Sequence, residues 1–149
     1  IEGGWLAQTQ GPPKIDWNSI ESVTKKEFTE SDIMLAKFGT AVISDVKSNA
    51  ILLVSTTKTG FATVGVGPGQ TSRVEAVRIA ARRAGDRAKG SMMISDAFFP
   101  FRDGIDTANE IGVESIVQPG GSMRDSDSIT AADEHDMSMI FTNRRLFLH

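Results

Sequence analysis

The sequence predicts a single α/β domain over residues 1–149, a three-layer sandwich built on a mixed sheet. Three observations carry that expectation. First, short apolar segments at Ser91–Ser95, Ser115–Val117 and Ser138–Thr142 alternate with helical stretches near Gly104–Ile111 and Asp125–His135. That order implies parallel neighbours joined by right-handed crossovers. Second, two strand-like runs flanking Lys58-Thr59-Gly60 read as a hairpin, which adds antiparallel pairing to the sheet. Third, 149 residues with 40% hydrophobic and 23% charged content make one ordinary globular domain. A chain of that size buries roughly two-thirds of its unfolded surface.

Taken in order, Gly4 to Gln8 is a candidate strand and the Gly-Pro-Pro at 11–13 a loop. A helix is expected from Thr29 or Ser31, either of which can cap it, with Asp32 favourable in the first turn. Leu35, Phe38, Ala41, Val42 and Val46 then recur at helical spacing. Ala50 to Ser55 is a continuous apolar strand, and Phe61 to Val66 returns as its hairpin partner. Ser72-Arg73-Val74-Glu75 has the form of a capping box, in which serine and glutamate satisfy each other's backbone donors. It opens a helix whose narrow apolar face is Val74, Val77, Ala81, Ala84 and Ala88. Arg78, Arg82, Arg83, Arg87 and Lys89 belong to its solvated side. The sequence contains no internal repeat or linker.

A net charge of −3 argues against general attraction to nucleic acid or membrane surfaces. No apolar run approaches the ~20 residues of a membrane helix, and no signal peptide precedes the domain; a cytoplasmic protein is expected. With no cysteine and only His135 and His149, a typical zinc site is not expected, and a zinc nucleobase deaminase is excluded on ligands. The chain opens on Ile1 rather than methionine, as a cut or processed end would.

The stretch Ser95-Asp96-Ala97-Phe98-Phe99-Pro100-Phe101-Arg102-Asp103 is the most informative in the chain. It follows the apolar run Met92-Met93-Ile94, where a strand gives way to a loop, the place where open α/β sheets hold ligands. An aromatic, proline-stiffened loop with fixed charges suits a flat, partly charged heterocycle. The same phenylalanines would serve equally to plug the core. Gly65-x-Gly67-x-Gly69 is open to two readings: a phosphate cradle of backbone amides or a plain tight turn. Gln70, Ser72 and Arg73 beside it place amide, hydroxyl and guanidinium at one helix tip. Asn49, Gly120-Gly121-Ser122 and His135 each have an ordinary turn or helix-end reading as well. Asp136 is suited to a left-handed cap after the last helix.

The segment Ser95–Asp106, SDAFFPFRDGID, resembles the signature of the AICAR transformylase domain of the bifunctional purine-biosynthesis enzymes. Further matches run in family order: Gly3-Gly4, Lys47-Ser48-Asn49-Ala50, Gly65 to Arg73, Gln118 to Ser122, Ala131 to His135 and Thr142 to His149. The resemblance spans the chain and is closest to the last third of such enzymes, the second of two similar transformylase subdomains. It implies a cytidine-deaminase-like fold and formyl transfer from 10-formyltetrahydrofolate to the 5-amino group of AICAR. By resemblance, Asn49 and His149 sit at the reacting centre. Arg73, Phe98 and Arg145 bind the nucleotide, with Arg145 on its phosphate. Ser72, Pro100, Asp103 and Ser122 face the folate. Phe99 and Phe101 are left for the core.

The family often carries histidine where this chain has Leu148, and glycine where it has Asp136. Its presumed catalytic lysine–histidine pair belongs to an upstream half, and no Lys-His dipeptide occurs in these 149 residues. The resemblance therefore implies a partner segment or chain carrying that half, a homodimer, and an isolated chain that binds AICAR or folate weakly and turns over nothing unaided. The alternative is a non-catalytic nucleotide- or folate-binding module.

Overall fold

A computed structural model describes residues 3–5, 7–8 and 13–149. Of the expected first strand, Gly4, Trp5, Ala7 and Gln8 have no regular structure; Leu6, Gly11 and Pro12 lie outside the described residues. The remaining elements follow the anticipated order. They are α1 (Glu30–Ile43), β1 (Ile51–Thr57), β2 (Gly60–Gly67), α2 (Arg73–Ala84), β3 (Met92–Ser95), α3 (Asp103–Glu110), β4 (Ser115–Gln118), α4 (Asp125–Glu134) and β5 (Ser138–Phe141). Residues 85–88 add a 3-10 turn after α2.

The five strands form one mixed sheet in the order β2-β1-β3-β4-β5. β1 pairs antiparallel with β2 and β3, whereas β3, β4 and β5 run parallel. Alternate residues of β1 serve opposite faces. Ile51 and Leu53 join the cluster under α2, α3 and α4, with Met93, Ile116 and Met139. Leu52 and Val54 join the cluster under α1, with Met92, Ile94, Val117 and Ile140. Two buried layers on one sheet follow from the two-residue repeat of a strand covered on both sides.

Thr29 caps α1 in a full capping box: its hydroxyl accepts from the Asp32 N–H, and the Asp32 carboxylate accepts from the Thr29 N–H. The box expected at α2 is not formed. Ser72 occupies the cap position, yet its side chain makes no capping bond. The Glu75 carboxylate lies instead 3.7 Å from Arg78, one turn along, where a cation competes for it. The inward face of α2 is Ala76, Val77, Ala80 and Ala84, so Val74 and Ala81 sit at its margin rather than its centre. On α1 the buried residues are Leu35, Ala36, Gly39, Thr40 and Ile43, while Phe38 and Val42 are half-buried and Ala41 exposed. Asp136 takes the left-handed conformation after α4, with φ 53°.

Gly65 and Gly67 do not form a phosphate loop. Both lie within β2, facing the backbone of α2. A Cβ on either would collide with a helix carbonyl, that of Ala80 for Gly65 and that of Ala76 for Gly67. Their missing side chains are used for close strand–helix approach, which in turn fixes where the N-terminus of α2 emerges.

Candidate functional site

β3 ends in Ser95, Asp96 follows it directly, and both side chains are buried. Carboxylates are almost never fully buried unless paired, and Asp96, with no exposed surface, has three neighbours that explain it. Its Oδ1 accepts from Arg73 Nη2 at 2.6 Å, and its Oδ2 accepts from the Ala50 N–H at 2.9 Å. Its backbone carbonyl accepts from the Leu146 N–H at 2.8 Å. One residue thus joins the entry to β1, the first turn of α2 and the C-terminal tail.

Arg73, the first residue of α2, spreads its guanidinium over this end of the sheet. Nε donates to Ser95 Oγ at 3.0 Å, and Nη2 also donates to Asn49 Oδ1 at 3.0 Å. Its side chain is only 10% exposed. Burial pulls its guanidinium below the usual arginine value, and the charge and hydrogen bond of Asp96 oppose that pull. Asn49 is further held by Gln70, whose carbonyl accepts from both the backbone N–H and Nδ2 of Asn49 at 3.2 and 2.8 Å. An amide has two Nδ2 hydrogens. With Oδ1 on Arg73 and one hydrogen on Gln70, the second Nδ2 hydrogen of Asn49 has no partner among the described residues.

The tail runs alongside. Ser48 N–H donates to the Leu148 carbonyl and Ser48 Oγ accepts from the Leu148 N–H, at 2.9 and 3.0 Å. Leu146 is buried, which leaves Arg145 exposed with its guanidinium carbon 5.0 Å from the centre of the Phe98 ring. That is a cation–π distance. The structure therefore brings together four of the expected residues in two linked pairs, Asn49 with Arg73 and Phe98 with Arg145.

The others stand apart from these pairs. Ser72 and Pro100 are exposed, and Asp103 is an exposed residue at the start of α3 whose carboxylate accepts from the Gly104 N–H. Ser122 accepts from the Arg124 N–H in the turn after β4. His149 is exposed, with its backbone N–H on Gln8 and its ring 5.5 Å from that of Phe147. No described hydrogen bond or ion pair joins any of these five to Asn49, Arg73 or Asp96. Of the two phenylalanines expected in the core, Phe99 is there, its N–H fixed by the buried Gln118 side chain. Phe101 is not: it is 52% exposed, and the Arg124 guanidinium lies 5.0 Å from its ring. With Phe99 filling the space under the loop, Phe101 is turned outward past Pro100.

His135 belongs to a separate surface cluster. Its Nε2 lies 2.7 Å from Asp106, which receives Arg102 through both carboxylate oxygens, and Arg102 also reaches Glu134. Arg102, and after it His135, hold the Asp106 carboxyl below the usual carboxylate range. This is a helix-end clamp between α3 and α4.

Sequence reasoning missed Asp96 and Gln118. Asp96 carries a readable signal, a carboxylate directly after an all-apolar strand; what it pairs with is not local.

These features define an α/β domain with a five-stranded mixed sheet and a polar cluster where β3 ends. A profile of the AICARFT/IMPCHase bienzyme family matches residues 1–83, and the chain belongs to that family. Proteins named "Bifunctional purine biosynthesis protein PurH" from Chelativorans sp. (strain BNC1), Dinoroseobacter shibae and Anoxybacillus flavithermus are each 46% identical over the whole chain. The chain spans 28–29% of their length. Among solved structures, Acinetobacter baumannii RibD, form 2, aligns over 72% of this chain and 32% of its own at 14% identity and a TM-score of 0.46. Among the described residues no helix is long and apolar enough to cross a membrane.

Proposed function

We propose that this chain supplies the nucleotide-facing part of a folate-dependent formyltransferase in purine biosynthesis, corresponding to the C-terminal part of such an enzyme. The observation that carries the reading is the Phe98–Arg145 stack together with the Asn49–Arg73–Asp96 cluster, tied to it through the Asp96 carbonyl on the N–H of Leu146, where β3 ends. An aromatic ring, an exposed guanidinium and an amide N–H are what a heterocyclic ribonucleotide asks of its site. The relatives' printed role in purine biosynthesis supports the same class of ligand.

In the proposed reaction the 5-amino nitrogen of AICAR attacks the formyl carbon of 10-formyltetrahydrofolate. The amine loses a proton, the bond from carbon to N10 breaks, and tetrahydrofolate leaves with that nitrogen reprotonated. The amine is a poor nucleophile because the imidazole carboxamide draws on its lone pair, so orientation and oxyanion stabilisation dominate. The second Nδ2 hydrogen of Asn49 would polarise the formyl oxygen, and the carbonyl of that amide, already accepting from Arg73, makes the N–H a better donor. Phe98 would stack on the base and Arg145 would leave the ring for the phosphate. Ser72, Pro100, Asp103 and Ser122 would meet the folate, and His149 would approach the centre only when the tail moves. The proton acceptor would come from a lysine–histidine segment outside these 149 residues, and the assembled enzyme would be a homodimer.

Arg145→Lys tests this in the complete assembly that carries the chain. Lysine keeps the charge and loses the bidentate fork. AICAR affinity is expected to fall by about 1.5–3 kcal/mol, the range for a charged hydrogen bond, with folate affinity nearly unchanged. Arg144 is exposed and no described contact holds its guanidinium on Phe98, so Arg144→Lys should be silent. Equal effects at the two arginines, measured by AICAR titration, would show that the phosphate is held elsewhere.

A further inference from the structure

The structure assigns to Asp96 the part of a positioning residue: its buried carboxylate holds the Arg73 guanidinium against Asn49 and so aims the second Asn49 Nδ2 hydrogen at the nucleotide. The assignment rests on the proposed nucleotide site and deepens it. Asp96 itself has no exposed surface, so it touches no ligand. Each of its partners is a proposed site residue, Arg73, or directly follows one, Ala50 after Asn49 and Leu146 after Arg145. Arg73 Nη2 is shared between Asp96 Oδ1 and Asn49 Oδ1, at 2.6 and 3.0 Å, so the position of one acceptor sets that of the other. Oδ2 fixes the Ala50 N–H, the residue directly after Asn49. The Asp96 carbonyl fixes the N–H of Leu146, the residue directly after Arg145.

A bare ion pair would need none of this convergence. Structural pairing of Arg73 is satisfied by one carboxylate oxygen. Here the second oxygen and the backbone carbonyl of the same residue reach the immediate chain neighbours of the two proposed ligand-binding side chains. Asp96→Asn keeps the size and an oxygen for Ala50 while removing the charge that orders Arg73, so the strand entry survives and the aim of Asn49 is lost.

The test is a double-mutant cycle on the chain, with AICAR binding followed by titration well below the unfolding midpoint. Asp96→Asn should weaken AICAR binding at least tenfold. Asn49→Ala should cost a similar factor in the wild type and less than twofold in the Asp96→Asn background, because the two act as one unit. A purely structural Asp96 would give independent, multiplying losses, and that result overturns the assignment. Should Asp96→Asn not fold, the side-chain N–H resonances of Arg73 in the wild type decide it. Slow exchange with solvent and a shift on adding AICAR support the held guanidinium; rapid exchange without a shift overturns it. Wild-type chain that does not bind AICAR at all refutes the proposed site rather than the role of Asp96 within it.

Discussion

Gly67→Ala should destabilise the fold at or beyond the upper end of the ~1–3 kcal/mol typical of overpacking. The added methyl would fall on the Ala76 carbonyl, 2.8 Å from its carbon and 3.1 Å from the Ala76 Cα. All of these are backbone atoms of α2, so relief requires the whole helix to move off the sheet. Gly39→Ala offers the contrast. There the atoms nearest a Cβ are side-chain carbons of Ile94 and Val54 rather than backbone, so relief needs no helix to move and a smaller loss is expected. Because α2 carries Arg73 at its first position, Gly67→Ala should also weaken nucleotide binding. Chemical denaturation of both variants checks the ranking, and a loss under about 1 kcal/mol at Gly67 would contradict it.

Arg73→Met should cost about 3–5 kcal/mol, the usual penalty for stranding one member of a buried ion pair. The loss comes less from the missing attraction than from the Asp96 carboxylate left in a place without solvent. It should therefore be recovered in large part by adding Asp96→Asn, since a neutral amide at 96 can still accept from the Ala50 N–H. Denaturation midpoints of the single and double variants distinguish the two origins. A double variant no more stable than Arg73→Met would place the cost in lost packing of the arginine stem.

The element order was legible because its signals are local. The hairpin turn, the alternating strand–helix order of the second half and the Thr29 cap depend on neighbours only a few positions apart. The readings that failed share a different character. Gly65-x-Gly67-x-Gly69 is open to a phosphate cradle or a tight turn, and neither describes Gly65 and Gly67, which lie within β2 against the backbone of α2. Ser72-x-x-Glu75 has the letters of a capping box, but Arg78 on the next turn draws the glutamate away. The Phe98–Phe99–Pro100–Phe101 run shows that rings are present without showing which turns inward; Gln118, 19 positions away, fixes that. The candidate site was legible only in pieces. Asn49 meets Arg73 and Phe98 meets Arg145, but Asp96, on which Arg73 and the Ala50 N–H converge, pairs with residues 23 and 46 positions distant.

The most direct measurement is amide and side-chain NMR of the chain titrated with AICAR. The account predicts shifts concentrated at Asn49, Arg73, Phe98 and Arg145, the strand ends that the cluster occupies. It predicts none around the cavity of about 390 Å³ at the opposite end of the sheet, lined by Lys26, Thr29, Asp32, Lys89 and Glu114. Shifts confined to that far cavity, with Asn49, Arg73, Phe98 and Arg145 unmoved at saturation, would contradict it.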